Sequence, residues 1–262
     1  MVKVLLRAVA LGYLGFLLVL PVGVVFWRTF QGGIGPVWDA LTKPNAVHAI
    51  ELTVIVASGA VVANTIFGVG VALMLVRHRF VGRRVLDALI DLPIAVSPVV
   101  VGLALILVYG RTTGVGVWLG ARSLDVIFAP PGMVLATIFV SLPLVVRAVA
   151  PVLEEIGTEQ EQAAWTLGAS PFQTFRRITL PAIRWALVFG VVLTLARGLG
   201  EYGAVAVVSG RLIGQTQTAT LFVEERFQNF DQPAAYAMAF LLAAMAVVVL
   251  LATNLLRPRE GA

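Results

Sequence analysis

Cysteine is absent from this chain, which excludes a disulfide framework and any thiolate metal site. Histidine occurs only as His48 and His78, far apart and without metal-ligand spacing, so both read as polar residues of loops. Charge is scarce: Asp, Glu, Lys and Arg make up 13% of the 262 residues, against 59% hydrophobic residues and a mean hydropathy of +0.95. A soluble domain cannot hide that much apolar surface, so the bilayer must be the solvent. The net charge of +5 then speaks for topology and lipid contact rather than nucleic-acid binding. No G-x-x-x-x-G-K-[ST] phosphate loop is present, no catalytic constellation stands out, and no internal repeat of the kind found in secondary transporters is visible. The segments between apolar runs are too short to form a solute-binding domain.

What is there is a series of uncharged runs. Ala8 to Trp27, Leu52 to Val76, Leu92 to Gly110, Val126 to Val146 and Gln232 to Leu256 are each long enough to cross as helices, and Ala182 to about Val208 qualifies despite Arg184, Arg197 and Glu201. The sequence therefore predicts an all-α polytopic membrane protein, a single transmembrane domain over 1–262 with six transmembrane helices and both termini on one side. Lys3 and Arg7 ahead of the first run resemble a signal peptide, but the run is long and lacks a small-x-small cleavage site, so it reads as a span. Ala60, Asn64, Gly68 and Ala72 recur every four residues and mark a face where helix backbones approach closely. Pro93 and Pro98 should bend the third span and Pro143 the fourth, and Asp91 reads as a structural carboxylate at the membrane edge.

Basic residues orient the chain. Arg77, Arg79, Arg83 and Arg84 crowd one short loop, Arg147, Arg176, Arg177 and Arg184 flank a second polar loop, and Arg257 and Arg259 lie at the end. Arg28, Lys43, Arg111, Arg122, Arg211 and Arg226 are spread over longer loops on the other side. The positive-inside rule makes the first set, and both termini, cytoplasmic, in a multi-pass plasma (inner) membrane protein.

The second of those polar loops, at about 153–181, carries unusual order. Glu161 to Leu167 is rich in helix formers, and Ala163 and Ala164 leave a surface that another protein can approach. Gly168 supplies a left-handed stop, Ser170 an N-cap with Pro171 at the first helical position, and a second short helix should run to about Arg177. Pro181 should end it and restart the chain into the next span. On shape alone, this two-helix loop is equally an amphipathic surface hairpin. Its residues, however, match a pattern: Gln162-Ala163-Ala164, Gly168 and Ile178-Thr179-Leu180-Pro181 resemble, at every spacing, the EAA loop of ABC-importer permeases. Gln162 stands where that family usually has Glu, and Glu161 lies one position earlier. The resemblance implies that Glu161, Gln162, Ala163, Ala164, Gly168, Ile178, Leu180 and Pro181 form a cytoplasmic coupling element for separate ABC ATPase subunits, which would bind the ATP; this chain would hold no cofactor and catalyse nothing itself.

A second resemblance concerns the cargo. Arg197-Gly198-Leu199-Gly200-Glu201-Tyr202-Gly203, then Val208-Ser209-Gly210, Gly214-Gln215-Thr216-Gln217-Thr218 and Val223-Glu224, is similar to the fifth span and following loop of permeases for sulfate, thiosulfate and molybdate, with the later motifs closer to one of the two sulfate/thiosulfate permease subunits. It implies half of a translocation pore, paired with a second, homologous and different permease and fed by an external sulfate-binding protein. Arg197, Gly200, Glu201 and Ser209 are the candidate pathway residues. Arg197 and Glu201, four apart, share a helix face and read either as an intrahelical ion pair or as a pore-lining pair. A molybdate or tungstate importer built from two identical permeases, and a secondary transporter or channel needing no ATPase, are the rival classes.

Overall fold

The computed structural model describes residues 2–256; residues 1 and 257–262, among them Arg257 and Arg259 of the orientation argument, lie outside them. The chain is helical: α1 (Val2–Leu14), a wide π turn (Gly15–Val19), α2 (Leu20–Phe30), α3 (Ile34–Thr42), α4 (Pro44–Arg77), α5 (Arg83–Ala95), α6 (Pro98–Tyr109), α7 (Gly114–Gly120), α8 (Pro130–Ile156), α9 (Glu159–Thr166), α10 (Pro171–Thr174), a second π turn (Phe175–Thr179), α11 (Leu180–Leu199), α12 (Gly203–Val208), α13 (Ala219–Gln228) and α14 (Gln232–Leu256). Prolines start many of them: Pro44, Pro98, Pro130 and Pro171 each open a helix, where the missing N–H has no intrahelical partner to lose.

Among the described residues five helices are long and apolar enough to cross a membrane: Val9–Phe30, α4, α8, the continuous stretch Pro171–Leu199, and Gln232–Ala252 of α14. A sixth crossing exists if α5 and α6 count as one broken span. The run Leu92 to Gly110, expected as one bent helix, is instead split: α5 and α6 meet at 114°, around extended Val96 and Ser97. Pro98 forces Ser97 out of the helical region and turns the bend into a break. The expected run from Ala182 to Val208 is broken likewise, at Gly200–Tyr202. Pro181, in contrast, does not end a helix. The π turn at Phe175–Thr179, closed by Leu180 N–H to the Phe175 carbonyl, widens the backbone just ahead of Pro181, so the helix passes through a residue that has no N–H to give.

The center of the bundle is α4, α8 and α11. A Cβ on Gly59 would meet Val134, and one on Gly68 would meet Val145 at 2.8 Å, so α4 and α8 run parallel in close contact. Gly190 faces Val145 and Ala148, and Gly198 faces Ala57 and Thr137, so α11 runs antiparallel to both. The stripe read from sequence is the contact face: Ala60, Asn64 and Ala72 are fully buried. Asn64 Nδ2 donates to the Ile138 carbonyl and to Ser141 Oγ, a polar clasp between two spans. At the other extreme, Val9–Phe30 turns Leu11, Tyr13, Phe16, Val19, Val22 and Trp27 outward, as a lipid-facing helix does.

One end of this bundle is pinned by a charge. Arg77, the last residue of α4, donates from Nη1 to the Leu153 carbonyl (2.9 Å) and from Nη2 to the Gly157 carbonyl (2.7 Å), taking up orphan carbonyls where α8 ends. The same guanidinium forks onto Glu161 of α9, Nε to Oε2 at 3.1 Å and Nη2 to Oε1 at 3.2 Å, and Thr179 Oγ1 in the π turn donates to Glu161 Oε1 at 2.9 Å. The two charged side chains are 12% and 10% exposed. A pair this buried is costly to split: Glu161→Ala strands Arg77 and should cost on the order of 3–5 kcal/mol. The double change Arg77→Met with Glu161→Leu should recover much of that loss. Thermal unfolding in detergent is the measurement; a Glu161→Ala protein that melts like the native one would show that the pair does not hold the helices together.

Candidate functional site

The polar segment after α8 is built by local rules. α9 ends at Gly168 with φ 83°, Gly168 N–H bonding back to the Trp165 carbonyl and Ala169 N–H to the Ala164 carbonyl, which is the paired closure of a glycine-terminated helix. Ser170 then caps the next helix: its Oγ accepts from Gln173 N–H, and the Gln173 side chain accepts from Ser170 N–H. The result is a short helix, a sharp turn and a second helix that runs on into α11.

The eight residues singled out in this segment divide by environment. Glu161 is buried and committed to Arg77 and Thr179. Gln162 and Ala163 are exposed, Gln162 Nε2 reaching only Thr158 Oγ1, and Ala164 is half-buried. Gly168 is exposed at the turn, Ile178 and Leu180 are half-buried beside the π turn, and Pro181 is exposed. Trp165, Leu167 and Phe172, not singled out as site residues from the sequence, are exposed as well, at 52, 88 and 68%. With Ala163 they give this corner an apolar outer surface on an otherwise polar segment. α9, EQEQAAWT, has only eight residues, too few for an outward apolar face to show as a periodicity in the sequence.

At the opposite end of α11, Arg197 and Glu201 are ion-paired, Nη1 to Oε2 at 2.6 Å, but not along one helix face as expected: α11 ends at Leu199, and Glu201 lies in the break that follows. The partners differ sharply in environment: Arg197 is 39% exposed, Glu201 only 2%. Glu201 Oε1 accepts Ala204 N–H at 3.0 Å, capping α12, and its backbone carbonyl accepts the Thr220 hydroxyl at 2.9 Å. Ala219 N–H donates to Thr53 Oγ1 at 2.8 Å, and His48 Nε2 contacts the Gln215 carbonyl at 3.1 Å, so the segment after α12 is fastened to α4. Gly200 is exposed at the break. Ser209 is fully buried, its Oγ accepting Arg211 N–H in the turn at Gly210, so it does not line an open surface of this chain. Pro98 packs where a Cβ on Gly203 would stand, 2.9 Å away, and Ala204 and Val207 lie over Gly102, bringing the broken third span against α12. Among the described residues no group of three His, Cys, Asp or Glu could hold a metal ion.

The charged cluster that sequence reasoning missed joins α5 to α8. Arg147 forks onto Asp91, Nε to Oδ1 at 2.8 Å and Nη2 to Oδ2 at 2.6 Å, and Nη2 also lies 2.8 Å from Asp87 Oδ1. Asp91 is thus structural, as its position suggested, but through a partner too distant in sequence to be read from spacing.

Comparison with known proteins places this architecture. Residues 64–261 match the model of the family described as "Binding-protein-dependent transport system inner membrane component". The chain is 48% identical over 260 residues to the sulfate transport system permease protein CysW of Synechocystis, covering 99% of this chain and 94% of that protein. It is 45% identical to CysW of Escherichia coli, covering 93% and 84%, and 39% identical to the sulfate transport system permease protein CysT of the same organism, covering 94% and 88%. A chain of a bacterial ABC transporter that imports the polysaccharide alginate shares the fold, with a TM-score of 0.77 at 20% identity over 95% of this chain and 93% of that one. The chain described here therefore belongs to the binding-protein-dependent transport system inner membrane components, and within them to the sulfate transport system permeases.

Proposed function

We propose that this chain is one membrane-spanning half of an ATP-driven sulfate/thiosulfate importer, with α9 and the turn at Gly168 as the element that couples it to a separate ATPase. The observation that carries the reading is the glycine-turned corner with exposed Ala163, Trp165, Leu167 and Phe172, standing at the arginine-rich end of the bundle. A small-residue surface flanked by apolar side chains suits a protein partner's cleft. Glu161 has a different part: it fastens this corner to α4 and α11 from beneath, while Gln162 and Ala163 face outward. ATP is bound by the partner, and this chain supplies no catalytic group.

The charge distribution supports an orientation in which Arg77–Arg84 and the corner at Gly168 are cytoplasmic and Gln215 is external, with both termini inside. The relatives named CysW match more strongly than the one named CysT, which supports pairing with a second, different permease rather than with a copy of itself. The assembly then takes its anion from an external sulfate-binding protein. Arg197 lies on the pathway. Half-exposed, it offsets the charge of a passing dianion, while Glu201, locked by Ala204 N–H, keeps the site from holding that anion too tightly.

Replacing Gly168 with valine at φ 83° strains the corner. The complex should still insert, but sulfate uptake in proteoliposomes should separate from ATP hydrolysis; coupled transport at the native rate would sink the assignment of α9.

Orientation is read with single cysteines in this naturally cysteine-free chain. Gln215→Cys in intact cells should react with an impermeant thiol reagent, and Arg83→Cys should react only after the cells are opened. The reverse pattern inverts the topology and removes the ATPase from α9.

For the pathway, Arg197→Ala should cut uptake at least tenfold without loss of assembly, and Arg197→Ala with Glu201→Ala should stay low. Full recovery in the double variant would mean that the pair is structural and the anion does not need Arg197. The same uptake assay with competing thiosulfate and molybdate ranks the anions.

A further inference from the structure

α8 carries Arg147 about 10 Å deeper along its axis than Glu154, at 1.5 Å per residue. It is nevertheless 39% exposed, and its partners Asp87 and Asp91 are 48 and 49% exposed. Three charges open to the outside of the bundle at that depth do not face hydrocarbon, where each would cost several kcal/mol. Arg147 and Asp87 line a cleft of about 300 Å³ between α4, α5 and α8, walled by Leu75, Val76 and Ala150 and rimmed by Arg83, Arg84 and Glu154, while Asp91 holds Arg147 from outside that lining. Arg83 and Arg84 form no ion pair among the described residues. Arg147 is held rigidly through Nε and Nη2, and its Nη1 has no hydrogen-bond partner among the described residues.

A guanidinium fixed by two carboxylates, with one amino group free, beside two unpaired arginines, is suited to a tetrahedral oxyanion. The flanking acids keep the net charge low, so such a site releases what it binds. Its position fits a relay. Gly198 lies against Thr137 and Gly190 against Val145 and Ala148, so Arg197 stands level with Thr137 and Arg147 lies about 15 Å further toward the Arg77 end.

We propose that this cleft is a second oxyanion site, separate from Arg197, at which a sulfate-class anion is held by Arg147, Arg83 and Arg84 near the arginine-rich end of the bundle. The proposal rests on the reading of the chain as an oxyanion permease. A phospholipid headgroup phosphate has the same chemistry, so the test separates the two sources.

The assembled importer, without nucleotide, is placed in phosphatidylcholine nanodiscs, and its melting temperature is followed with sodium sulfate against sodium chloride at equal ionic strength. A parallel sample replaces part of the lipid with phosphatidylglycerol and omits sulfate. Sulfate should stabilise the native complex, and Arg83→Ala with Arg84→Ala should weaken the apparent sulfate affinity about tenfold, roughly the loss of one charge-assisted contact. If phosphatidylglycerol alone stabilises the native complex and that gain disappears in the variant, the oxyanion is a lipid headgroup and the transported-anion assignment falls. If native and variant complexes respond identically to both, the cleft is no oxyanion site. Should the alanine variant fail to assemble, Arg83→Lys with Arg84→Lys keeps the charge and removes the planar fork, and the same comparison is read from it. Uptake by the native complex is scored separately: a complex that binds sulfate at the cleft but imports none overturns the permease reading and leaves the cleft.

Discussion

Everything at one end of this bundle depends on where Arg77 puts its guanidinium. One side chain reaches the carbonyls of Leu153 and Gly157 and the carboxylate of Glu161, and Glu161 in turn takes the hydroxyl of Thr179. Four segments meet there: the end of α4, the end of α8, α9 and the π turn leading into α11. The ends of α4, α8 and α11 also share a buried apolar cluster through Leu75, Val149, Leu153 and Ile183, but α9 is short and mostly polar and brings little apolar area to hold itself there. The pair is worth little as net attraction, because desolvation offsets most of the Coulomb gain. Its effect is geometric. A buried arginine that must satisfy three fixed acceptors admits one arrangement of those helices, and other arrangements leave charge unpaired.

The same logic explains the second π turn. α11 must begin beneath α9 so that Thr179 can meet Glu161, and it must also carry Pro181 without breaking. An α-helical register through Pro181 would bring its ring against the carbonyl of Arg177, and a full break would detach α10 from the span. The widened turn satisfies both demands and leaves one continuous helix from Pro171 to Leu199. At the other end no such compromise is available. Glycines and prolines there permit backbone contact across elements, Gly203 against Pro98 and Gly102 against Val207, and the chain breaks at Val96–Ser97 and again at Gly200–Tyr202.

What the sequence made legible follows from this division. Four of the six apolar runs, the stripe through Ala60, Asn64, Gly68 and Ala72, the left-handed Gly168 and the Ser170 cap are set by residues within a few positions of one another, and the structure has them; the runs Leu92 to Gly110 and Ala182 to Val208 are broken. The Arg197–Glu201 pair was legible as neighbours in sequence, though not the helix end between them. Local reasoning failed where a partner lay far along the chain. Nothing near Glu161 announces Arg77, and nothing near Asp91 announces Arg147. Pro181 misled because a proline's effect depends on whether the preceding turn can widen, which its neighbours do not reveal. Ser209 looked available in a Val-Ser-Gly sequence, but the chain after it folds back and takes its hydroxyl into the turn.

Coupling over the length of such a molecule needs an element that both ends can bias. On the reading proposed here, the stretch from Pro171 to Leu199 is that element: about 43 Å of continuous helix at 1.5 Å per residue, with the docking corner at its start and Arg197 in its last turn. Because Glu161 binds Thr179 within the π turn rather than further up α11, a force on α9 enters the helix at its least regular point. Beyond that point Gly190 lies against Val145 and Ala148, and Gly198 against Ala57 and Thr137, so α11 is seated closely on α8 and α4. A displacement at the corner is then passed along α11 as a shift of the whole helix. It is felt at the break after Leu199, where Glu201 caps α12 and Arg197 stands half open.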